Sequence, residues 1–264
     1  MSQVIAIVSQ KGGVGKTSTA VNLGACLSAI KKRVLLVGMD PQCGLARCFG
    51  MDDSDVQYGV LDLVRDGVAP TDLIYKTHHR LPRLDIIAAN VRSTKDEIEF
   101  FRVIRENQAL FIEAMQRIRS SYDYMFLDCP PRLDNPTSVA LSASDSYMVP
   151  IQCEYAAMAT VGRVLKAALE VKQQFNANLG IFGFLITMAD KRASFTVKVI
   201  QEVRQYLKGR VFRTIVPRDP RIAEVPHRSE PVIAYDMDSP GAKAYIQLAR
   251  EILSDRQGGQ GRAK

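Results

Sequence analysis

The stretch Ser9-Gln-Lys-Gly-Gly-Val-Gly-Lys-Thr-Ser18 decides how the rest of the chain is read. Gly15, Lys16 and Thr17 fit the end of the phosphate-binding pattern G-x-x-x-x-G-K-[ST]. The pattern's first glycine falls at position 10, where this chain has glutamine followed by a second cation, Lys11. Upstream, Val4-Ile-Ala-Ile-Val-Ser9 has the length and β-branching of a buried strand. Downstream, Ala20, Leu23, Leu27 and Ile30 recur at three- and four-residue spacing, which predicts a helix over 16–30. Glycines between a strand and a helix let backbone amides converge on a phosphate, because no Cβ blocks the approach. The helix adds its positive end and its free N–H groups. Gly12, Gly13, Val14, Gly15, Lys16, Thr17 and Ser18 are therefore candidate nucleotide contacts. Lys16 is expected on the β- and γ-phosphates and the Thr17 hydroxyl on Mg²⁺.

Outward from the loop, short β-branched runs alternate with helical stretches. Strands are expected at 4–9, 33–37, 84–88, 124–127, 146–151 and 179–186, and helices at 16–30, 95–120, 160–175, 195–207 and 240–253. The implied class is α/β, a mostly parallel twisted sheet with helices on both faces. Residues 52–83 read as short helices and loops, 1–256 as a single domain, and the apolar-poor tail 257–264 as disordered. Two carboxylates follow strands: Asp128, closing Tyr122-Asp-Tyr-Met-Phe-Leu-Asp128 before Cys129-Pro-Pro131, and Asp40, in Val37-Gly-Met-Asp-Pro-Gln42. Ligands of open α/β sheets bind outside the carboxyl ends of strands. Asp128 is thus the expected Mg²⁺-side carboxylate, acting through water. Asp40 is a candidate to position attacking water, and a second candidate for the metal's water shell.

Composition narrows the class further. The 264 residues include 47% hydrophobic and 24% charged residues, ordinary values for a globular chain with a substantial core. No apolar run approaches the roughly 20 residues of a membrane span, and Met1-Ser-Gln leads straight into a strand with no secretory leader pattern. Five cysteines, an odd number without a C-x-x-C pair, indicate neither a disulfide framework nor a zinc site, so a cytoplasmic setting is expected. Net charge is +7. Residues 187–230 carry ten Lys or Arg against five Asp or Glu, a basic segment suited to an acidic partner.

Together the pieces resemble the ParA/Soj branch of the deviant Walker A ATPases, the family that includes MinD. The segments that carry the resemblance are Lys11-Gly-Gly-Val-Gly-Lys-Thr17, Val37-Gly-Met-Asp-Pro-Gln42, Asp128-Cys-Pro-Pro131, Val149-Pro-Ile-Gln-Cys-Glu-Tyr155 and Val216-Pro-Arg-Asp-Pro-Arg-Ile222, spread over roughly residues 4–253. The resemblance implies ATP and Mg²⁺ as cofactors and a homodimer formed on ATP binding, in which the lysine matching Lys11 reaches the partner's nucleotide. A cation is needed where two polyphosphates meet, and one supplied in trans also stabilises transition-state charge. By the same resemblance Lys11, Lys16 and Asp40 serve catalysis, Thr187, Met188, Pro217 and Arg218 surround the adenine, and Glu154 lies near the nucleotide at the interface. It further implies non-specific double-stranded DNA binding, hence nucleoid association, through candidates Lys191, Arg192, Lys198, Arg218 and Arg221. Hydrolysis, weak alone, would be stimulated by an activating partner, a ParB-like protein or a cargo adaptor, to segregate chromosome, plasmid or other cargo.

The chain departs from the family pattern in two places. Gly38 stands where an aspartate is common, which removes a carboxylate near the metal, and Cys43-Gly-Leu-Ala-Arg47 replaces the usual Gly-Asn type turn. Other readings are a nucleotide-dependent scaffold with little hydrolysis, a MinD-like membrane-bound positioning ATPase and a cofactor-biosynthesis enzyme. The glycine- and glutamine-rich tail offers no apolar face for stable membrane association. The scattered cysteines disfavour a metal-cluster reductase.

Overall fold

The computed structural model describes residues 2–77, 81–154, 157–190, 192–193 and 195–257. Eight strands, β1 (Gln3–Ile7), β2 (Val34–Gly38), β3 (Tyr75–Lys76), β4 (Leu84–Ile87), β5 (Tyr124–Asp128), β6 (Ser146–Gln152), β7 (Gly180–Ala189) and β8 (Val211–Pro217), form one sheet in the order β3-β4-β2-β5-β1-β6-β7-β8. Every pairing is parallel except β3 with β4. The helices are α1 (Lys16–Ala29), α2 (Gly44–Arg47), α3 (Val60–Asp66), α4 (Thr94–Glu106), α5 (Gln108–Ile118), α6 (Asn135–Ser142), α7 (Ala157–Gln174), α8 (Phe195–Leu207), α9 (Pro220–Ala223), α10 (Val225–Arg228), α11 (Val232–Tyr235) and α12 (Pro240–Gln257).

Strand alternation sorts the apolar residues into two cores. Val4, Ala6, Leu35, Val37, Met125 and Leu127 face α3 to α8, whereas Ile5, Ile7, Val34, Leu36, Tyr124 and Phe126 face α1, α2 and α12. Central strands covered on both faces read as unbroken apolar runs, which is why they were identifiable by composition.

The expected single helix over 95–120 is two helices. Asn107 breaks it with φ −109, and its side-chain amide donates to Val64 O at 2.8 Å. Strands β3 and β8 and helix α6 are absent from the sequence reading. Residues 52–83 hold one regular helix, α3, as well as β3. Of the expected tail 257–264, Gln257 is the last residue of α12, and 258–264 lie outside the described residues, as do Tyr155 and Lys191. Among the described residues no helix is long and apolar enough to cross a membrane.

Candidate nucleotide site

β1 sits at the centre of the sheet, paired with β5 on one side and β6 on the other. Its carboxyl end therefore delivers the glycine loop between the loops that follow β5 and β6. Gly13 (φ 71) and Gly15 (φ 91) both take the left-handed conformation that favours glycine, and Gly15 caps α1 without a side chain. A Cβ on Gly12 would meet Pro131 at 3.8 Å, so the Cys129-Pro-Pro131 turn backs the loop in ordinary contact.

Lys16 is buried, 7% exposed, and its ammonium donates to Lys11 O at 3.3 Å. Burial lowers its pKa from the ordinary lysine value, while Asp128 and Asp40 work in the opposite direction. Thr17 Oγ1 donates to Asp128 Oδ2 at 2.6 Å. Asp128 is 1% exposed, and burial pushes its pKa up to about 7 against the Thr17 hydrogen bond and the Lys16 charge. Its other oxygen, Oδ1, is buried without a hydrogen-bond partner. An orphaned carboxylate oxygen beside a hydroxyl, under a glycine cradle, fits a hydrated Mg²⁺, whose charge would restore the ionised carboxylate.

Asp40 is half-buried, and its Oδ1 accepts from Gln42 N at 3.0 Å, an Asx-type turn at the head of the Asp40-Pro-Gln-Cys43 segment. Cys43, next in that turn, has φ 52, and its thiol donates to Pro41 O and Val91 O. Asp134, before α6, is a third carboxylate here. Its pKa is raised first by burial and also by the charge of Asp40, and one of its oxygens lacks a partner. The sequence reading passed over it, although Asp134-Asn-Pro136 is a recognisable helix start.

Lys11 points not to open solvent but to Glu154, with which it forms an ion pair within the same chain. Both side chains remain about one-third exposed, at 36% and 30%. In the single chain, then, the lysine expected to reach a partner's nucleotide has its ammonium parked on Glu154, the carboxylate expected near the interface.

Thr187, Met188, Pro217 and Arg218 line one open cleft of about 1100 Å³ together with Val14, Gly15 and Ser18. Thr187 Oγ1 donates to Val14 O at 2.9 Å, tying the end of β7 to the loop. Met188 adopts φ 53, a left-handed conformation within β7 at the register irregularity between Ile186 and Ala189, beside this cleft.

The basic segment 187–230 is not one patch. β8 runs the height of the sheet, about 20 Å for seven residues, and sets Lys208 and Arg210 at one end and Arg218 at the other. Arg192 pairs with Asp190, Arg221 with Glu224 and Asp236, and Arg228 with Glu224. Lys198 and Arg218 are exposed and have no carboxylate within 4.0 Å among the described residues. Lys191 lies outside them.

Comparison with known proteins accords with this geometry. A family described as an AAA domain matches residues 2–181. Sporulation initiation inhibitor protein Soj of Bacillus subtilis is 41% identical over 97% of this chain and 100% of its own length. Chromosome partitioning protein ParA of Myxococcus xanthus is 37% identical over 96% of this chain and 88% of its own. The chain belongs to the ParA/Soj family. As a ParA/Soj member it is a P-loop ATPase of the partitioning and positioning kind. A solved structure described as cobyrinic acid a,c-diamide synthase from Mycobacterium smegmatis, with bound ADP and magnesium, superposes with a TM-score of 0.81 at 27% identity, covering 98% of this chain and 97% of that one.

Proposed function

We propose that this chain is an ATP-dependent switch that dimerises on ATP, binds DNA without sequence preference in that state, and releases it after hydrolysis stimulated by a partner protein. The observation that carries the reading is Lys11. It is a second cation at the mouth of a phosphate cradle whose own lysine, Lys16, already serves the loop, and it is held by the breakable, part-exposed Glu154 ion pair. A cation so placed is surplus to one nucleotide and suited to a second.

The amides of Gly12, Gly13 and Gly15 hold phosphate oxygens, and Lys16 neutralises them. Thr17, with Asp128 behind a water shell, would hold Mg²⁺, which supplies charge neutralisation on the transferring phosphoryl group. Asp40 orients the attacking water. Thr187, Met188 and the Pro217-Arg218 turn hold the base, and Lys198 and Arg218 are the basic candidates best supported for DNA, since Arg192 and Arg221 are satisfied by nearby carboxylates. ATP and Mg²⁺ are supported as cofactors by the ADP- and magnesium-bound neighbour. Greater identity to Soj and ParA than to the diamide synthase favours positioning over cofactor biosynthesis.

Sedimentation in ADP, ATP and a slowly hydrolysed analogue, with and without DNA, tests the reading. The expected result is a dimer and DNA binding with ATP alone among the natural nucleotides, and loss of both in Lys11→Ala with nucleotide binding retained. A Lys11→Ala protein that dimerises and binds DNA like the parent would remove the basis of the reading.

One observation favours a low-turnover scaffold as the second reading. A Cβ at Gly38 would meet Ala89 N at 3.4 Å and Ile87 O at 3.5 Å, so packing does not compel glycine strongly there, yet the carboxylate common at this position is missing. Phosphate release with DNA and an activator separates the two: a rate unchanged by both selects the scaffold.

A further inference from the structure

The end of the sheet opposite the nucleotide site carries a second group of cations, built by the turns that enter β2 and β4. Lys31, Lys32 and Arg33 form the turn between α1 and β2, with Lys31 in a left-handed conformation (φ 69). Arg83 precedes β4, the neighbour of β2. The two turns are joined: Arg83 Nη1 donates to Lys31 O at 3.1 Å, and Val34 N donates to Arg83 O at 2.8 Å. The cluster is thus held by backbone and is not a set of independent side chains.

Its charges are mostly unanswered. Arg33 pairs with Asp123 at 3.6 Å, while Lys31, Lys32 and Arg83 have no carboxylate within 4.0 Å among the described residues. Lys32 contributes instead to lowering the pKa of Asp123, behind the hydrogen bonds and charge of Arg33. Nearby Lys76, on β3, is matched by Asp85 at 2.8 Å. Among the described residues, four cations against Asp123 leave three net positive charges on two adjoining turns. Lys208 and Arg210 add two more at the same end of the sheet, where the chain enters β8.

We infer that this end of the sheet is a second binding surface for the phosphate backbone of nucleic acid, separate from the face that carries Lys198 and Arg218. The inference rests on the proposed function for the identity of the polyanion. Strands stand about 4.8 Å apart, so the turns at β4 and β2 bring their cations within reach of one phosphate backbone. A lipid surface suits it less well, because Ile30 is the one large apolar side chain exposed in these two turns among the described residues. Two chains closing through their nucleotide ends leave these surfaces on the outer poles of the pair. One dimer then holds more than one duplex at a time, where a single patch at the seam would hold one.

The test is capture of a labelled duplex by a second, immobilised duplex, with full-length protein, Mg²⁺ and a slowly hydrolysed ATP analogue, alongside the salt dependence of binding to a single duplex. The variant is Lys31→Asn with Lys32→Gln and Arg83→Gln, asparagine being tolerated at positive φ. Lys31→Asn with Lys32→Gln alone is the second variant, which keeps the Arg83 bond to the turn should the triple variant fold poorly. The expected result is that parent protein captures the second duplex, and that both variants retain binding of the first but lose capture. The log–log salt slope of single-duplex binding should stay at the parent's value, because the first duplex rests on the face of Lys198 and Arg218. Parent protein that binds one duplex and captures no second overturns the inference and leaves the proposed function standing, as do variants equal to the parent in capture. Parent protein that binds no DNA overturns both. Retention on phosphatidylglycerol vesicles through Lys31 and Lys32, without DNA capture, overturns the assignment to nucleic acid.

Discussion

Asp128 meets opposed demands: its side chain is enclosed, yet one oxygen accepts from Thr17 and the other has no partner. Its pKa of about 7 lies above the ordinary aspartate value of 3.8, so between these pH values the folded chain binds a proton that the unfolded chain releases. Stability of the nucleotide-free protein therefore falls as pH rises from about 4 to 7, and the loss is complete above the folded value. Asp128→Asn escapes this cost. In chelator, its melting temperature should exceed that of the parent at pH 8 by several degrees, at about 2–4 °C per kcal/mol for a chain of this size, and the curves should meet near pH 4. Equal melting at pH 8 would show that the carboxylate is better solvated than its burial implies. Asp40 belongs to the same scale. Asp40→Ala should leave ATP binding within a few fold and slow phosphate release by about 10²–10⁴, the usual worth of a positioned proton acceptor; single-turnover release measures it.

Among the elements, α12 and β8 depend on one side chain. Glu251 is 5% exposed and accepts from Arg213 N at 2.8 Å, Thr214 N at 3.0 Å and Thr214 Oγ1 at 2.8 Å. Glu251→Ala strands two backbone donors of β8, each costing about 1–3 kcal/mol, and urea unfolding should show a loss of about 2–5 kcal/mol. None of this was visible in the sequence, because the partners lie 37 and 38 residues apart. β8 itself escaped notice because Val211-Phe-Arg-Thr-Ile-Val-Pro217 lies inside the basic segment, where charge drew the reading away from alternation. The continuous helix over 95–120 was misread because Phe100, Val103 and Ile104 in α4 and Phe111, Ala114, Met115 and Ile118 in α5 keep one apolar face across the break. By contrast, β1, β2, β5 and the loop were legible, since doubly buried strands and a phosphate cradle leave marks within a few consecutive residues. Glycine conformation and the closeness of Thr17 to Asp128 follow from those local marks, whereas the grouping of Thr187, Met188, Pro217 and Arg218 beside the loop was implied by the family resemblance alone. The Lys11–Glu154 pair, separated by 143 positions, does not follow from those marks.

For the whole molecule, the proposed assembly should depend on the metal as much as on the nucleotide. Chelating Mg²⁺ from the ATP-loaded protein should return it to monomer mass and release DNA together, within one titration by analytical ultracentrifugation. A dimer that survives EDTA would place the joining contacts elsewhere than around the phosphates. The outer margins of the sheet restrict where such contacts form. One margin ends in β3, two residues long and antiparallel to its neighbour, and at the other Glu251 occupies amides of Arg213 and Thr214. Among the described residues neither rim offers a free run of hydrogen-bonding groups for a strand from another molecule. Endless lateral growth through the sheet margins is thereby disfavoured, which suits the closed, fuel-dependent pair proposed above.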